Sequence, residues 1–351
     1  MAEKLLISEK PKRIYSIEFL RIFFVFFIIL GHCMQSYPEI KYFVHDLLGS
    51  NLVSTWFCVE YYSIIGGFLI YYNKKEETRL FDRLKHVYLR LSPAVLFLYF
   101  LGLVFGLTTI SNLLVVLTMT QGLSIPIADA IGWGDWFAGA YFWASCVFIS
   151  LLFYFKDKAF MLILPLIYVC IVTQTNMTYP GWMKSYGGIV GTEFLRVLYC
   201  MGCGIVAAFL AKNLHFTKQK IPVLFASVLE CICLYLCFKK IIYGNSLFGI
   251  ISVLSCCIFL VLAANSAGYV SKFINKIKKI NYLSKYAWSI FIGHAFVLTF
   301  LLDKSFDISQ VMSCFIVFFG AIILGVFEYH VIEKKLVPWL LNYFSKDVST
   351  K

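Results

Sequence analysis

The sequence predicts an all-α protein, a polytopic membrane helical bundle with about ten transmembrane helices and both termini in the cytoplasm. Its composition is 60% hydrophobic and 14% charged, with a mean hydropathy of +0.80, whereas soluble domains usually carry about 25% charged residues. Apolar runs of about 20 residues, the length that crosses a bilayer core about 30 Å thick, recur along the chain. Lysine and arginine concentrate in alternate connecting segments, as the loops on one side of a membrane do.

Each predicted span is an apolar run between two short polar segments. Because the bilayer core offers no water to backbone N–H and C=O groups, each run is expected to be helical. A moderately apolar stretch at 110–126 contains Gln121 and Pro126, and we interpret it as a re-entrant or interfacial helix. The predicted spans are 14–36, 52–72, 88–108, 136–155, 159–175, 188–211, 220–240, 246–265, 286–302 and 309–332.

The distribution of basic residues supports this topology. With the N-terminus inside, the cytoplasmic segments hold 24 of the 31 Lys and Arg residues and the outer loops hold 5. An additional span at 110–126 would invert every later loop and remove that asymmetry. We therefore predict a cytoplasmic tail at 1–13, a transmembrane domain at 14–332 and a second cytoplasmic tail at 333–351. The first apolar run is long and contains a charge, so we expect an uncleaved span rather than a signal peptide.

The net charge of +12 does not indicate a nucleic-acid partner, because the basic residues lie in short loops beside apolar runs. The expected partner of this surface is membrane lipid. Nearly all of the 12 cysteines lie inside predicted helices, which argues against a secreted disulfide framework. Cys200 and Cys203 form a lone CxxC, which we interpret as packing residues, and we expect no metal site.

The first predicted helix contains three polar residues that are costly in a bilayer. An arginine at the centre of a membrane helix costs about 2.5 to 3.5 kcal/mol on insertion scales. Arg21 and His32 are 11 positions apart, which places them within about 20° of the same helix face and about 16 Å apart along the axis. Glu18 precedes Arg21 by three residues and can offset its charge. These residues are either a structural ion pair with a histidine near the headgroups, or a polar track with a cation near the cytosol and a proton acceptor further out.

The second helix and the loop after it hold further polar candidates. The stretch "VEYYSIIGGFLIYY" places Glu60 in the membrane, and its Gly66 and Gly67 allow close helix approach. The loop "KKEETRLFDRLKHVYLRLSP" carries six Lys and Arg residues, the last of them Arg90. Inner loops accumulate basic residues for topological reasons, but a cytosolic anionic ligand such as a phosphorylated cofactor would bind there as well.

Later spans add candidates for the outer side and the centre of the bundle. Trp136, in "GWGDWFAGAYFW", is either an aromatic-belt anchor or, beside Asp135, part of a platform for a glycan, whose C–H faces are apolar. Glu193 and Arg196 have the spacing of an intrahelical ion pair. His294 lies near mid-membrane on the ninth span, either bonded to a neighbouring helix or as part of a site.

Four of these stretches together resemble the acyltransferase 3 family of multi-pass membrane acyltransferases. An arginine, ten intervening residues and a histidine on the first helix resemble that family's hallmark. "EYYSIIGGF" resembles its Gly-rich second helix, "RLSP" its Arg-x-x-Pro, and "YLSKYAWSIFIGH" its late Ser-Tyr-x-x-Tyr-Leu-x-His stretch. The likeness covers almost the whole chain and is to the stand-alone form. Gly66 stands where many members have serine, and "DWFAGAYFW" matches only loosely.

The resemblance implies transfer of an acyl group, often acetyl, from cytosolic acyl-CoA to a hydroxyl of an extracytoplasmic carbohydrate, in a bacterial cytoplasmic membrane. A cofactor head held by cations near Arg21 and Arg90 would extend its thin pantetheine arm toward His32. His32 is expected to act as general base, or as the acyl carrier. Arg21 would orient the donor or its developing charge, with Glu18 holding the guanidinium.

The remaining candidates are assigned to two binding regions. Arg196 and His294 are expected to support the binding of the cofactor. Glu60, Asp135 and Trp136 are expected to contact the acceptor. The alternative is a multi-pass transporter or exporter of a polar metabolite or glycan precursor, since polar residues within spans also mark substrate pathways. The chain has no obvious pair of related halves, and a purely structural membrane protein would leave the alignment of Arg21 with His32 unexplained.

Overall fold

The computed structural model describes residues 13–49, 57–74, 79–123, 136–175, 185–186, 190–214, 222–243 and 247–339. These ranges are helical apart from their connections and a two-residue antiparallel ladder, in which Ser185 pairs with Gly191 and Tyr186 with Val190. The predicted all-helical class is therefore confirmed for the part of the chain that is described.

The helices follow one another with short connections. In order they are α1 (Tyr15–Ser36), α2 (Pro38–Leu48), α3 (Phe57–Tyr72), α4 (Leu80–Phe105), α5 (Leu113–Thr118), α6 (Trp136–Tyr154), α7 (Phe160–Thr175), α8 (Thr192–Asn213), α9 (Val223–Tyr243), α10 (Leu247–Ala264), α11 (Tyr269–Lys276), α12 (Ile280–Ser284), α13 (Ala287–Lys304) and α14 (Gln310–Glu328). Two 3₁₀ turns occupy Ile110–Asn112 and Lys156–Ala159, and α14 continues as a π-helix over Tyr329–Leu336.

Several of these helices are long and apolar enough to cross a membrane. Among the described residues there are six, namely α1, α4, α6, α8, α13 and the continuous segment Gln310–Trp339. A seventh results if α10 and α11, which meet at a bend of 62°, count as one broken span. A helix lies at each of the ten predicted places. The number of ten spans and the cytoplasmic termini remain predictions, and the predicted domain boundary after residue 332 falls inside the π-helix.

The centre of the bundle is the close packing of α3 against α8. A Cβ added to Gly67 would lie 1.9 Å from the Met201 carbonyl oxygen, and one added to Gly204 would lie 1.9 Å from the Ile64 carbonyl oxygen. The two backbones therefore touch directly, which only glycine permits. The predicted close approach at Gly67 is confirmed.

The N-terminal end of α1 is held by a polar cluster on α11. The Ser16 backbone N–H and its hydroxyl each donate to the Asn275 side-chain oxygen at 2.8 Å. Asn275 in turn donates to the Ser266 hydroxyl at 2.9 Å. These bonds fix the start of α1, the helix that carries Arg21 and His32.

The bend between α10 and α11 is capped by a buried carboxylate from α9. Glu230, which is 0% exposed, accepts hydrogen bonds from the backbone N–H groups of Gly268 and Val270 at 3.1 Å and of Ser271 at 3.2 Å. These amides are at the positive end of α11, where a carboxylate is stabilised. A Cβ at position 268 would lie 2.2 Å from a Glu230 oxygen, so the bend requires Gly268.

Two of the connections between the long helices contain a short helix of their own, α2 and α5. The helix α2 is not among the predicted helices, although Pro38 at its start and Gly49 after it, with φ of +62°, are ordinary helix boundaries. It buries Ile40 and Val44 and exposes Tyr42, 71% accessible, on the other face, as helices at a membrane surface do.

In the predicted re-entrant stretch, α5 has only six residues, so the described part of that stretch does not span a membrane.

Candidate active site

A basic cavity lies between α3, α4 and α6 at the end of the bundle where Arg21 is located. Its volume is about 390 Å³, which is within the usual range for small-molecule sites of about 300 to 1,000 Å³. Arg21 of α1 and Trp288 of α13 also line it. The polar and aromatic residues that line it are Arg21, Tyr62, Asn73, Asp82, Arg83, His86, Arg90, Tyr141, Ser145 and Trp288. We call it the basic cavity, because three arginines and one histidine face one aspartate.

The structure brings Arg21 and Arg90 together in this cavity, as the sequence analysis expected of a site for an anionic cofactor. Arg90 is exposed at α4, whereas Arg21 is 8% exposed. Arg83 and His86, which belong to the basic loop but were not selected as site residues, line the same cavity. Positions 83, 86 and 90 are spaced by three and four residues, so they share one face of α4, a signal that was present in the sequence.

The Arg21 guanidinium is held in a fixed position. Its Nη1 lies 3.0 Å from Glu18 Oε2, one turn earlier on α1. Its guanidinium carbon lies 5.9 Å from the centre of the Tyr62 ring, within range of a cation–π contact. Glu18 therefore forms the expected pair with Arg21, and Tyr62 of α3 provides a second contact that the sequence did not indicate.

Gly66 makes room for Tyr141 in the wall of the basic cavity. A Cβ at position 66 would lie 2.2 Å from the Tyr141 hydroxyl. A side chain there would collide with Tyr141 unless the tyrosine moved. The glycine at position 66 is thus matched by a bulky partner on α6.

His32 and His294 form a buried pair away from the basic cavity. His32 Nδ1 lies 2.7 Å from His294 Nε2, and the two rings are nearly coplanar, with their centroids 5.0 Å apart and their planes inclined by 18°. His32 is 6% exposed and His294 is 0% exposed. The second nitrogen of His294, Nδ1, contacts the Phe291 carbonyl oxygen one turn earlier on α13. We call these two residues the histidine pair. His294 was predicted to bind cofactor, with a bond to a neighbouring helix as the alternative, and the structure places it in that bond.

An aromatic layer lies between the basic cavity and the histidine pair. It consists of Tyr62, Phe137, Trp288 and Phe291, and the Phe291 ring lies at its centre. Phe291 is 6.2 Å from Tyr62, 5.4 Å from Phe137 and 5.6 Å from Trp288 between ring centroids. It is also 5.4 Å from His294. Ring contacts therefore lead from Tyr62, beside Arg21, through Phe291 to His294, in the region where the sequence predicts the donor path.

Two of the predicted site residues form an ion pair elsewhere in the bundle. Arg196 Nε lies 2.7 Å from Glu60 Oε1, so the pair joins α8 to α3. Both side chains are largely buried, and neither belongs to the residues that line the basic cavity. The sequence analysis considered Glu193 as the partner of Arg196, and Glu193 Oε2 accepts a bond from Thr192 Oγ1 at 3.2 Å.

The predicted acceptor region is only partly described. Trp136 is the first residue of α6, and its ring lies 5.8 Å from that of Phe137. Asp135 lies outside the described residues. Glu60, the third residue assigned to the acceptor, is in the ion pair with Arg196. The structure therefore does not bring these three residues together around one described cavity.

Within the described ranges, no group of three His, Cys, Asp or Glu side chains is placed to hold a metal ion. The cysteines of those ranges are free thiols, and most are buried. Comparisons of the chain with protein-family models, with curated proteins and with solved structures gave no match. The interpretation of function therefore depends on the basic cavity, the histidine pair and the aromatic layer between them.

Proposed function

We propose that this protein is a membrane-bound O-acyltransferase of the acyltransferase 3 type. It moves an acyl group, acetyl in the simplest case, from cytosolic acyl-CoA to a hydroxyl of an extracytoplasmic carbohydrate. One observation carries the proposal: α1 presents Arg21 to a basic cavity and, eleven residues later, His32 to a buried histidine pair. A cation site and a proton acceptor on one helix are the two parts that this reaction needs.

The basic cavity suits the donor. Coenzyme A has phosphate groups at one end and a thin, flexible arm at the other. Arg83, His86 and Arg90 would bind the phosphates by charge-assisted hydrogen bonds at the more exposed end of the cavity. A volume of about 390 Å³ holds the arm and leaves the nucleotide at the mouth. The arm would then pass Arg21 and point toward the aromatic layer.

The distance along α1 favours one of the two roles considered for Arg21. Eleven residues of helix rise about 16 Å, so the guanidinium is too far from His32 to touch the reacting atoms. We therefore assign Arg21 to positioning the donor and Glu18 to holding Arg21. The developing charge on the thioester oxygen would be stabilised by groups near the histidine pair.

The chemical step uses His32 as general base. The acceptor hydroxyl oxygen forms a bond to the thioester carbonyl carbon while His32 takes the hydroxyl proton. The C–S bond then breaks, and the CoA thiolate leaves and receives the proton from His32. For this step the thioester must pass the aromatic layer, so the ring of Phe291 has to move aside when the donor binds.

The test is transfer of a labelled acetyl group by the full-length protein in proteoliposomes. Acetyl-CoA is supplied on one side and a panel of polysaccharides and oligosaccharides on the other, and O-acetyl esters on the glycans are measured by mass spectrometry. We expect label on a glycan with wild-type protein and none with empty vesicles. Consumption of acetyl-CoA without ester formation on any glycan would contradict the assignment of the acceptor, and no consumption would contradict the reaction.

A transporter remains the second candidate, because one observation favours it. A cavity that is open at one end and closed by an aromatic layer is also the form of a transporter with one gate shut. A transporter of a polar metabolite or glycan precursor would move its substrate across the vesicle membrane in the absence of acetyl-CoA. Flux of a labelled sugar without any ester formation would therefore favour this candidate over the acyltransferase.

A further inference from the structure

The hydrogen bonds of the histidine pair form a chain that starts at the Phe291 carbonyl oxygen. A backbone carbonyl oxygen has no proton, so the Phe291 carbonyl can only accept a hydrogen bond. His294 Nδ1 points at this oxygen and must therefore carry a proton. This bond is on the same helix as His294, one turn earlier, and so it does not depend on the packing of other helices.

The proton on His294 Nδ1 decides the next bond. A neutral imidazole has one N–H group and one acceptor nitrogen, so His294 Nε2 is an acceptor. His32 Nδ1, 2.7 Å away, must then be the donor of the bond between the two rings. It follows that His32 carries its proton on Nδ1 and has a lone pair on Nε2.

The opposite arrangement requires a buried cation. If His32 Nδ1 were the acceptor, both nitrogens of His294 would have to be protonated, and the ring would be positively charged. His294 is fully buried, and burial of an ionised group without a partner is strongly unfavourable. The ion pairs of the described residues do not include His294. The neutral chain is therefore the favoured arrangement.

We infer that His294 is a positioning residue, which holds His32 in the Nδ1–H tautomer and thereby makes Nε2 of His32 the atom that takes the proton from the acceptor hydroxyl. The statement that Nε2 takes a proton from the acceptor hydroxyl rests on the proposed function, whereas the statement about the tautomer of His32 is independent of it. The planes of His32 and His294 are inclined by only 18°, so the two rings lie nearly coplanar and edge to edge along this hydrogen bond, which also limits the rotation of the His32 ring. His294 thus fixes both the tautomer and the orientation of His32.

The tautomer is measured directly by nitrogen NMR. Full-length protein labelled with ¹⁵N-histidine is reconstituted in lipid nanodiscs, and the signals of His32 are assigned by their loss in His32→Gln. Two variants form a matched pair. In His294→Gln the amide oxygen occupies the place of Nε2 and still accepts from His32, whereas in His294→Asn the shorter amide sits at the place of Nδ1 and cannot reach.

We expect His32 to be the Nδ1–H tautomer in wild-type protein and in His294→Gln. In His294→Asn we expect a shift toward the Nε2–H tautomer, which is the more stable form of an unconstrained imidazole. An Nε2–H signal for His32 in the wild type, or an unchanged tautomer in His294→Asn, would overturn the inference.

The consequence for catalysis is tested separately. In the transfer assay His294→Asn should lower kcat by about 10²-fold with an unchanged KM for acetyl-CoA, and His294→Gln should recover most of the rate. Equal rates for His294→Asn and wild type would overturn the catalytic part. If wild-type protein transfers no acyl group, the proposed function fails, while the NMR result still decides the tautomer.

Discussion

The basic cavity and the histidine pair differ in exposure, in charge and in how firmly their side chains are held. The cavity has long cationic side chains, of which Arg90 is exposed. His32 and His294 are short, buried and joined by a hydrogen bond of 2.7 Å. Exposed cationic side chains can attract an anion even when they move, whereas proton transfer needs donor and acceptor atoms in a fixed geometry. In the proposed reaction, donor binding and chemistry would therefore take place in separate regions of one helix bundle.

The largest effect should come from comparing one histidine of each region. His32→Ala removes the general base and should lower kcat by about 10² to 10⁴-fold with little change in KM for acetyl-CoA. The matched variant His86→Ala, in the basic cavity, should raise KM and leave kcat nearly unchanged. Steady-state kinetics of both variants in proteoliposomes would check this. The separation of the two regions would be wrong if both histidines changed the same constant.

The ion pair between α3 and α8 supports both regions and should affect stability rather than one kinetic constant. Glu60→Ala removes the carboxylate that lies 2.7 Å from Nε of the largely buried Arg196, and breaking a buried ion pair by removing one member typically costs about 3 to 5 kcal/mol. Thermal unfolding in detergent should show a markedly lower midpoint. The double variant Glu60→Leu with Arg196→Leu removes both charges and should recover much of the loss. A stable Glu60→Ala protein that fails only in glycan transfer would instead support the predicted contact of Glu60 with the acceptor.

A smaller effect is expected for a single cation of the basic cavity. Arg90→Ala should raise the KM for acetyl-CoA by about tenfold, because a hydrogen bond to a charged group contributes about 1.5 to 3 kcal/mol and exposure reduces that value. The effect should shrink at high salt, since exposed charges are screened. Lys304→Ala, which removes an exposed charge far along α13, serves as the control. An unchanged KM would place the phosphates of the donor elsewhere.

The smallest effect concerns the shape of the cavity wall. In Gly66→Ala the new Cβ collides with the Tyr141 hydroxyl, so Tyr141 has to turn into the cavity. We expect a rise of a few fold in the KM for acetyl-CoA. Tyr141→Leu added to Gly66→Ala removes the ring atoms as well as the hydroxyl that the new Cβ would meet, and it should restore KM in part. Absence of any interaction between the two substitutions would contradict this contact.

The sequence was sufficient for features that depend on helix geometry alone. The shared face of Arg21 and His32 and the pairing of Glu18 with Arg21 follow from 3.6 residues per turn. Gly67 could be assigned to a helix contact because small residues in an apolar helix allow another backbone to approach closely. The helix α2 could also have been predicted from the Pro38 and Gly49 that bound it.

Contacts between distant helices could not be predicted from the sequence. Glu193 has the spacing of a helical partner for Arg196, but nothing in the local pattern predicts the ion pair of Arg196 with Glu60, 136 positions earlier in the chain. The aromatic layer combines rings from α3, α6 and α13, and aromatic residues make up 18% of this sequence. With so many rings available, no local pattern distinguishes the few that separate the cavity from the histidine pair.

The cap of α11 has a consequence for the order in which the chain is assembled. The Glu230 carboxylate is synthesised 38 residues before Gly268, the first of the amides that it accepts from. At ribosomal rates of about 5 to 20 residues per second, this interval lasts about 2 to 8 s. During that time α9 carries an acid that has no amides to bind, which favours keeping this helix close to water. We therefore expect α9 to reach its final position only after α11 has been synthesised, and a truncation before residue 268 to leave α9 without the amides that bind Glu230.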